Sequence, residues 1–170
     1  MPKLIKFKDM YPNIDKDAFV ASGAVIAADV TIGANSGVWF NAVIRGDVAP
    51  VTIGKNTNIQ DGAVVHTSRF DGPTHIGDNI TIGHMTLIHA CTLEDNSFIG
   101  MHATIMDNAI VQEWGFVGAG SLVTPGKVVG KYELWAGVPA KFVRKITDEE
   151  IEYMKGNVQN YVELAAEYKK

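Results

Sequence analysis

Residues 76–89 read IGDNITIGHMTLIH, and in them an aliphatic residue returns every six positions, at Ile76, Ile82 and Ile88. Two histidines, His84 and His89, stand at different phases of that beat. Backwards from Ile76 the same beat runs through Val65, Ile59 and Ile53, then Ile44, Val38, Ile32, Ile26, Val20 and Ile14. Forwards it runs through Leu93, Ile99, Ile105, Val111, Val117, Val123 and Val129. Only three steps depart from six: nine residues across Pro50, eleven across Ser68–His75, and five from Ile88 to Leu93. All nineteen positions carry Val, Ile or Leu. A fixed internal period outranks any local reading, because each repeat buries its apolar face only against its neighbours.

A six-residue period fits neither a 3.6-residue helix nor a strict two-residue strand alternation. It fits very short β-branched strands joined by tight corners, with one aliphatic side chain per edge directed inward. Gly follows the aliphatic residue at Gly33, Gly54, Gly77, Gly83, Gly100 and Gly118. Such glycines suit corners, through positive φ or through close approach of the backbone. Three edges close one triangular coil, and coils stack at a sheet spacing of about 4.8 Å. The nineteen edges therefore predict an all-β solenoid, a parallel β-helix of about six coils over residues 14–134, after a lead-in at 1–13.

The beat ends after Val129. Residues 135–147 contain Gly137 and Pro139 and read as a crossing loop. Thr147 followed by Glu150 matches a capping box, and Ile151, Met154, Val158, Tyr161, Val162 and Ala165 share one helical face behind it. A C-terminal helix over 148–168, packed outside a solenoid, is expected.

Composition narrows the function. Net charge is −4 with no basic stripe, which argues against nucleic acid. The single Cys91 offers neither a disulfide framework nor a thiolate zinc site. No run of about 18 apolar residues is present, so a cytoplasmic protein without membrane association is the expectation.

Phase then sorts the polar residues. Arg45, His66 and His89 each follow an inward aliphatic residue and lie three edges apart, so they form one column. His66 and His89, one coil apart, can aim at a single ion, since Zn–N bonds are about 2.0–2.1 Å. His84 stands two places after Ile82, in a column with Asp61 and Met101 on another face. One chain should not close a three-histidine site. A three-fold assembly of solenoids would bring the Asp61–His84 column of one against the His66–His89 column of the next, completing a site with an open fourth position. His75, in the inserted loop, and His102, outside both columns, read as structural.

The hexapeptide beat, Arg45-Gly46-Asp47, Gln60-Asp61, His66 and the Gly83-His84-xxxx-His89 spacing together resemble the gamma-class carbonic anhydrase family over about residues 10–145. The resemblance implies a left-handed parallel β-helix, a homotrimer, and Zn2+ (or Fe2+) held by His66 and His89 with His84 of an adjacent subunit. It implies reversible hydration of CO2 to bicarbonate by a hydroxide activated on the ion. Arg45 and Asp47 would pair across the subunit boundary, Gln60 would hydrogen-bond near the reacting water, and Asp61 would support the interface or a ligand histidine. Tail-helix Tyr or Asn residues lie near the metal in that family; Tyr153, Asn157 and Tyr161 are candidates.

Two departures stand out. Val48 follows the Arg-x-Asp motif where the family carries an acid, and the loop Thr67–Thr74 holds only Asp71 where the family has a glutamate-rich segment. The alternatives are a metal-binding relative with weak or other activity, such as a CoA thioesterase or a scaffold subunit, and a hexapeptide acyltransferase using one histidine as base.

Overall fold

The computed structural model describes all 170 residues. It is a left-handed parallel β-helix of about seven turns with one C-terminal helix. The first face stacks Lys3–Ile5, Val25–Ala27, Val43–Arg45, Val64–His66, Leu87–His89, Thr104–Ile105 and Leu122–Val123 in parallel register. The second face runs from Asn13–Ile14 to Val128–Val129, and the third from Phe19–Val20 to Glu133–Gly137. The inward aliphatic residues meet on the axis in one cluster of 27 buried residues, with Ile26, Ile44, Val65, Ile88 and Ile105 wholly buried. Each extra coil thus adds parallel hydrogen bonds and apolar burial together.

The turn count exceeds the expected six because both ends continue the ladder. Leu4, in the segment read as a lead-in, pairs with Ile26, and Trp135 pairs with Val117 below the last predicted edge. Most of the 135–147 segment, expected as a crossing loop, belongs to an antiparallel hairpin, Glu133–Gly137 against Ala140–Lys145. The alternation Phe142-Val143 between basic residues is too short to have announced a strand.

Of the two roles expected of the corner glycines, the structure uses close approach of the backbone. The glycines that follow the aliphatic positions are not left-handed. Gly83 is required by proximity, since a Cβ there would lie 2.6 Å from the Met101 amide nitrogen one coil below. The left-handed residue comes two places later, three after the aliphatic one. Asn fills that place at Asn35, Asn56, Asn79, Asn96 and Asn108, and His102 fills it in one coil. Asn tolerates this conformation better than most residues.

Length variation is confined to one corner. The steps Ile44–Ile53, Val65–Ile76 and Ile88–Leu93, and the step from Leu4 to Ile14, all join the first face to the second. The other two corners keep their six residues throughout.

Helix α1 (Asp148–Tyr168) begins at Thr147 with both bonds of the capping box formed, and its C-terminal half packs on the third face of its own solenoid. Met154 and Ala165 are its buried residues, and Tyr161 and Tyr168 pack edge-on against Trp39. No helix is long and apolar enough to cross a membrane.

Candidate metal centre

His66 and His89 close adjacent coils of the first face and are direct partners in the parallel ladder. Identical phase on a regular solenoid gives them this relation, and it sets His66 Nδ1 3.2 Å from His89 Nε2. Two nitrogens sharing one tetrahedral ion at about 2.0–2.1 Å would lie about 3.3 Å apart, so the pair fits a zinc-type ion. Both imidazoles are half-buried beside the corner where the chain leaves for the second face.

Carboxylates flank the pair. Asp47 Oδ1 lies 3.2 Å from His66 Nε2, and Asp107 Oδ1 lies 2.5 Å from His89 Nδ1. Burial raises the Asp47 carboxyl, but hydrogen bonds from Arg45 and His66 outweigh it and hold the group below the usual carboxylate range. Burial pushes His66 below the ordinary imidazole value, against the opposing pull of Asp47. A neutral imidazole is the form that ligates a metal.

Arg45 donates to Asp47 of its own chain at 2.7 Å. A pair across a subunit boundary was implied by the resemblance. Within the chain the two project from the same side of one strand, Val43–Ile53, because they are two residues apart.

His84 stands at a different corner, between the third and first faces, where its Nδ1 lies 2.9 Å from Asp61 Oδ2. No group of three or more His, Cys, Asp or Glu side chains in one chain is arranged to hold an ion. His84 instead lines a cleft of about 290 Å³ with Gln60, Thr81, Phe98, Tyr153, Asn157 and Tyr161. Gln60 is buried and donates from Nε2 to Asn58 Oδ1 at 3.0 Å. Asn58 donates in turn to Thr81 Oγ1, and Thr81 donates to Asn157 Oδ1 of the helix. All three tail-helix candidates thus reach one cleft. Burial, with the Asp61 charge nearby, raises the Tyr161 phenol.

Two residues of this environment, Asp107 and Asn58, were not singled out from sequence. Asp107 stands in the corner one coil below His89, as Asp47 stands one coil above His66, a placement that shows only when the coils are stacked. The structural readings of the other two histidines have their partners: His75 Nδ1 meets Thr52 Oγ1 at 2.8 Å, and the His102 amide donates to the His84 carbonyl. In the acid-poor loop, Asp71 is held by Ser68 at 2.9 Å and by Asn108 at 3.0 Å.

Fold and site together define a hexapeptide-repeat β-helix protein with paired imidazoles on one face and a third at another corner. No family model matches the chain. It is 46% identical over 167 residues to a mitochondrial gamma carbonic anhydrase, number 2, of Arabidopsis thaliana, covering 95% of this chain and 60% of that protein. It is 49% identical over 152 residues to a probable carbonic anhydrase of Methanocaldococcus jannaschii, covering 89% of this chain and 95% of that one. The crystal structure of a hexapeptide transferase family protein from Anaplasma phagocytophilum superposes with a TM-score of 0.94 at 46% identity, covering 98% of each chain. The chain belongs to the gamma carbonic anhydrase family. It spans about three fifths of the length of the plant relatives it matches.

Proposed function

We propose that the protein catalyses reversible hydration of CO2 to bicarbonate as a homotrimer. Each site holds a divalent ion, Zn2+ or alternatively Fe2+, through His66 and His89 of one protomer and His84 of the partner subunit. The observation that carries this reading is the facing of two imidazole nitrogens at 3.2 Å in ladder register while His84 sits at another corner. The relatives named carbonic anhydrase support the reaction.

When bound, the ion supplies the Lewis acidity that lowers the pKa of water to about 7. The chain supplies the rest. Phe98, Phe116, Met101 and Ala119 give the cleft an apolar wall suited to CO2, which carries no net dipole. Gln60, its Nε2 committed to Asn58, accepts from the reacting water through Oε1 and so orients its lone pair toward the carbon. Water adds to CO2, and bicarbonate and a proton leave. Arg45 and Asp47 steady the His66 ring, and Asp61 steadies His84.

The trimer is supported by apolar side chains left open around both histidine columns. Val64 is 39% exposed, Met85 57% and Met101 51%. A cyclic contact would bury these faces against each other. The test is metal analysis and stopped-flow CO2 hydration of the purified protein and of His84→Ala. About one ion per chain is expected, with metal and hydration both lost in a variant that stays folded. Metal retained in His84→Ala would remove His84 from the site, and metal without hydration would leave a binding protein.

A further inference from the structure

The His66–His89 pair is bracketed along the column. Asp47 comes from the coil above, and Asp107 from the corner after Thr104–Ile105, in the coil below. A neutral imidazole carries one N–H, and an ionised carboxylate only accepts. His66 therefore donates from Nε2 to Asp47, and His89 donates from Nδ1 to Asp107. The nitrogens that remain, His66 Nδ1 and His89 Nε2, are both lone pairs, and they face each other at 3.2 Å. Two acceptors at that distance repel unless a cation or a proton lies between them.

From this geometry we infer that Asp107 is a positioning residue for the metal centre. It holds His89 in the Nδ1–H tautomer, opposite to the tautomer that Asp47 imposes on His66. The inference rests on the metal-site reading and names the residue that prepares one of its ligands. The corner that carries Asp107 is itself fixed. Its carbonyl accepts from the Gly126 amide at 2.9 Å, and the adjacent Asn108 amide donates to the Ala90 carbonyl at 2.7 Å. Asn108 also ties Asp71 of the loop after His66 through its side chain. The short Asp107 side chain thus projects from a corner whose backbone is held on both sides, as a second partner of a ligand histidine should be.

The test compares Asp107→Ala, Asp107→Asn and Asn108→Gly with the wild type by zinc competition against a chelator. Asp107→Ala is expected to weaken zinc by about 10- to 100-fold, the usual cost of losing such a partner. Asp107→Asn should lose less, since its amide oxygen still accepts from Nδ1–H. Asn108→Gly, which keeps the left-handed corner and its backbone bonds while removing a side chain that does not touch His89, should bind as the wild type does. A second readout needs no metal. In metal-free protein labelled with 15N-histidine, the His89 Nδ1 signal should be that of a protonated nitrogen in the wild type, and a tautomer mixture should appear in Asp107→Ala. Wild-type zinc affinity in Asp107→Ala, an equal loss in Asn108→Gly, or an Nε2–H tautomer in the wild type would each overturn the role of Asp107. A wild type that binds no zinc would instead remove the metal-site reading, and the nitrogen signals would still decide whether Asp107 sets the tautomer.

Discussion

His84 and His89 are five residues apart in sequence, yet they leave the solenoid at different corners, one bonded to Asp61 and the other to Asp107. A site that uses both must join two chains. Mixing His84→Ala chains with His66→Ala chains is therefore expected to restore part of the zinc that each variant lacks alone. An intact site forms wherever the first chain's His66–His89 pair meets the second chain's His84. Mixed protein as empty as its components would count against sharing.

Gln60 is buried and oriented by Asn58, at the end of a third-face strand rather than in the first-face column of His66 and His89. Gln60→Ala should leave zinc content near the wild-type value while kcat/KM for CO2 hydration falls by about 10- to 100-fold. Loss of zinc in this variant would make Gln60 part of the metal support instead.

Ile88 lies wholly buried in the coil that carries His89 and stacks on Val65 of the coil that carries His66. Ile88→Ala should cost about 2–5 kcal/mol in chemical denaturation, because a stacked axis closes poorly over a cavity. A cost below about 1 kcal/mol would mean that the neighbouring coils collapse into the gap, as well-relaxing sites do.

Gly83→Ala places a methyl group 2.6 Å from the Met101 amide nitrogen, beside His84. Backbone must shift, and a destabilisation of about 1–3 kcal/mol is expected in urea titration. Zinc affinity should weaken in the same variant, since His84 is the next residue.

Glu150 is held down to about 2, first by hydrogen bonds from Arg144, which outweigh the opposing effect of burial, and then by the Thr147 amide of the capping box. A depressed carboxyl stabilises the fold above its unfolded value and loses that contribution as pH falls toward the folded one. Helix content followed by circular dichroism should therefore decline between about pH 4.3 and the folded value. Glu150→Gln, which keeps a capping-box acceptor but loses the ion pair with Arg144, should be less stable by about 0.2–1 kcal/mol at neutral pH and should show a flatter decline across that window.

The solenoid was legible in sequence because its signal is global. A missed corner cannot hide nineteen aliphatic positions in one phase. The seventh turn was not legible, since Leu4 lies ten residues before Ile14 and a single irregular step has no period. The hairpin at 133–145 escaped because its outer strand is exposed almost throughout and shows no buried alternation. Within the site, phase separated His84 from His66 and His89, but carboxylate partners obey no period of their own. Asp107 is visible only when the coil below is laid beside His89. Asn58 and Asn157 join through a chain of hydrogen bonds that spans 76 residues from Thr81 to the helix, and no local pattern carries that link.

Every irregular step falls at the corner between the first and second faces, where Asp47, His66, His89 and Asp107 gather. Loops of any length can be exchanged there without re-registering a single coil, because the ladder resumes its phase on the next face. Such a scaffold separates inheritance of its framework from revision of its chemistry. Grafting a longer acid-rich segment between Thr67 and Thr74 is accordingly a change the framework can absorb, and a direct way to ask how much of proton traffic resides in that loop.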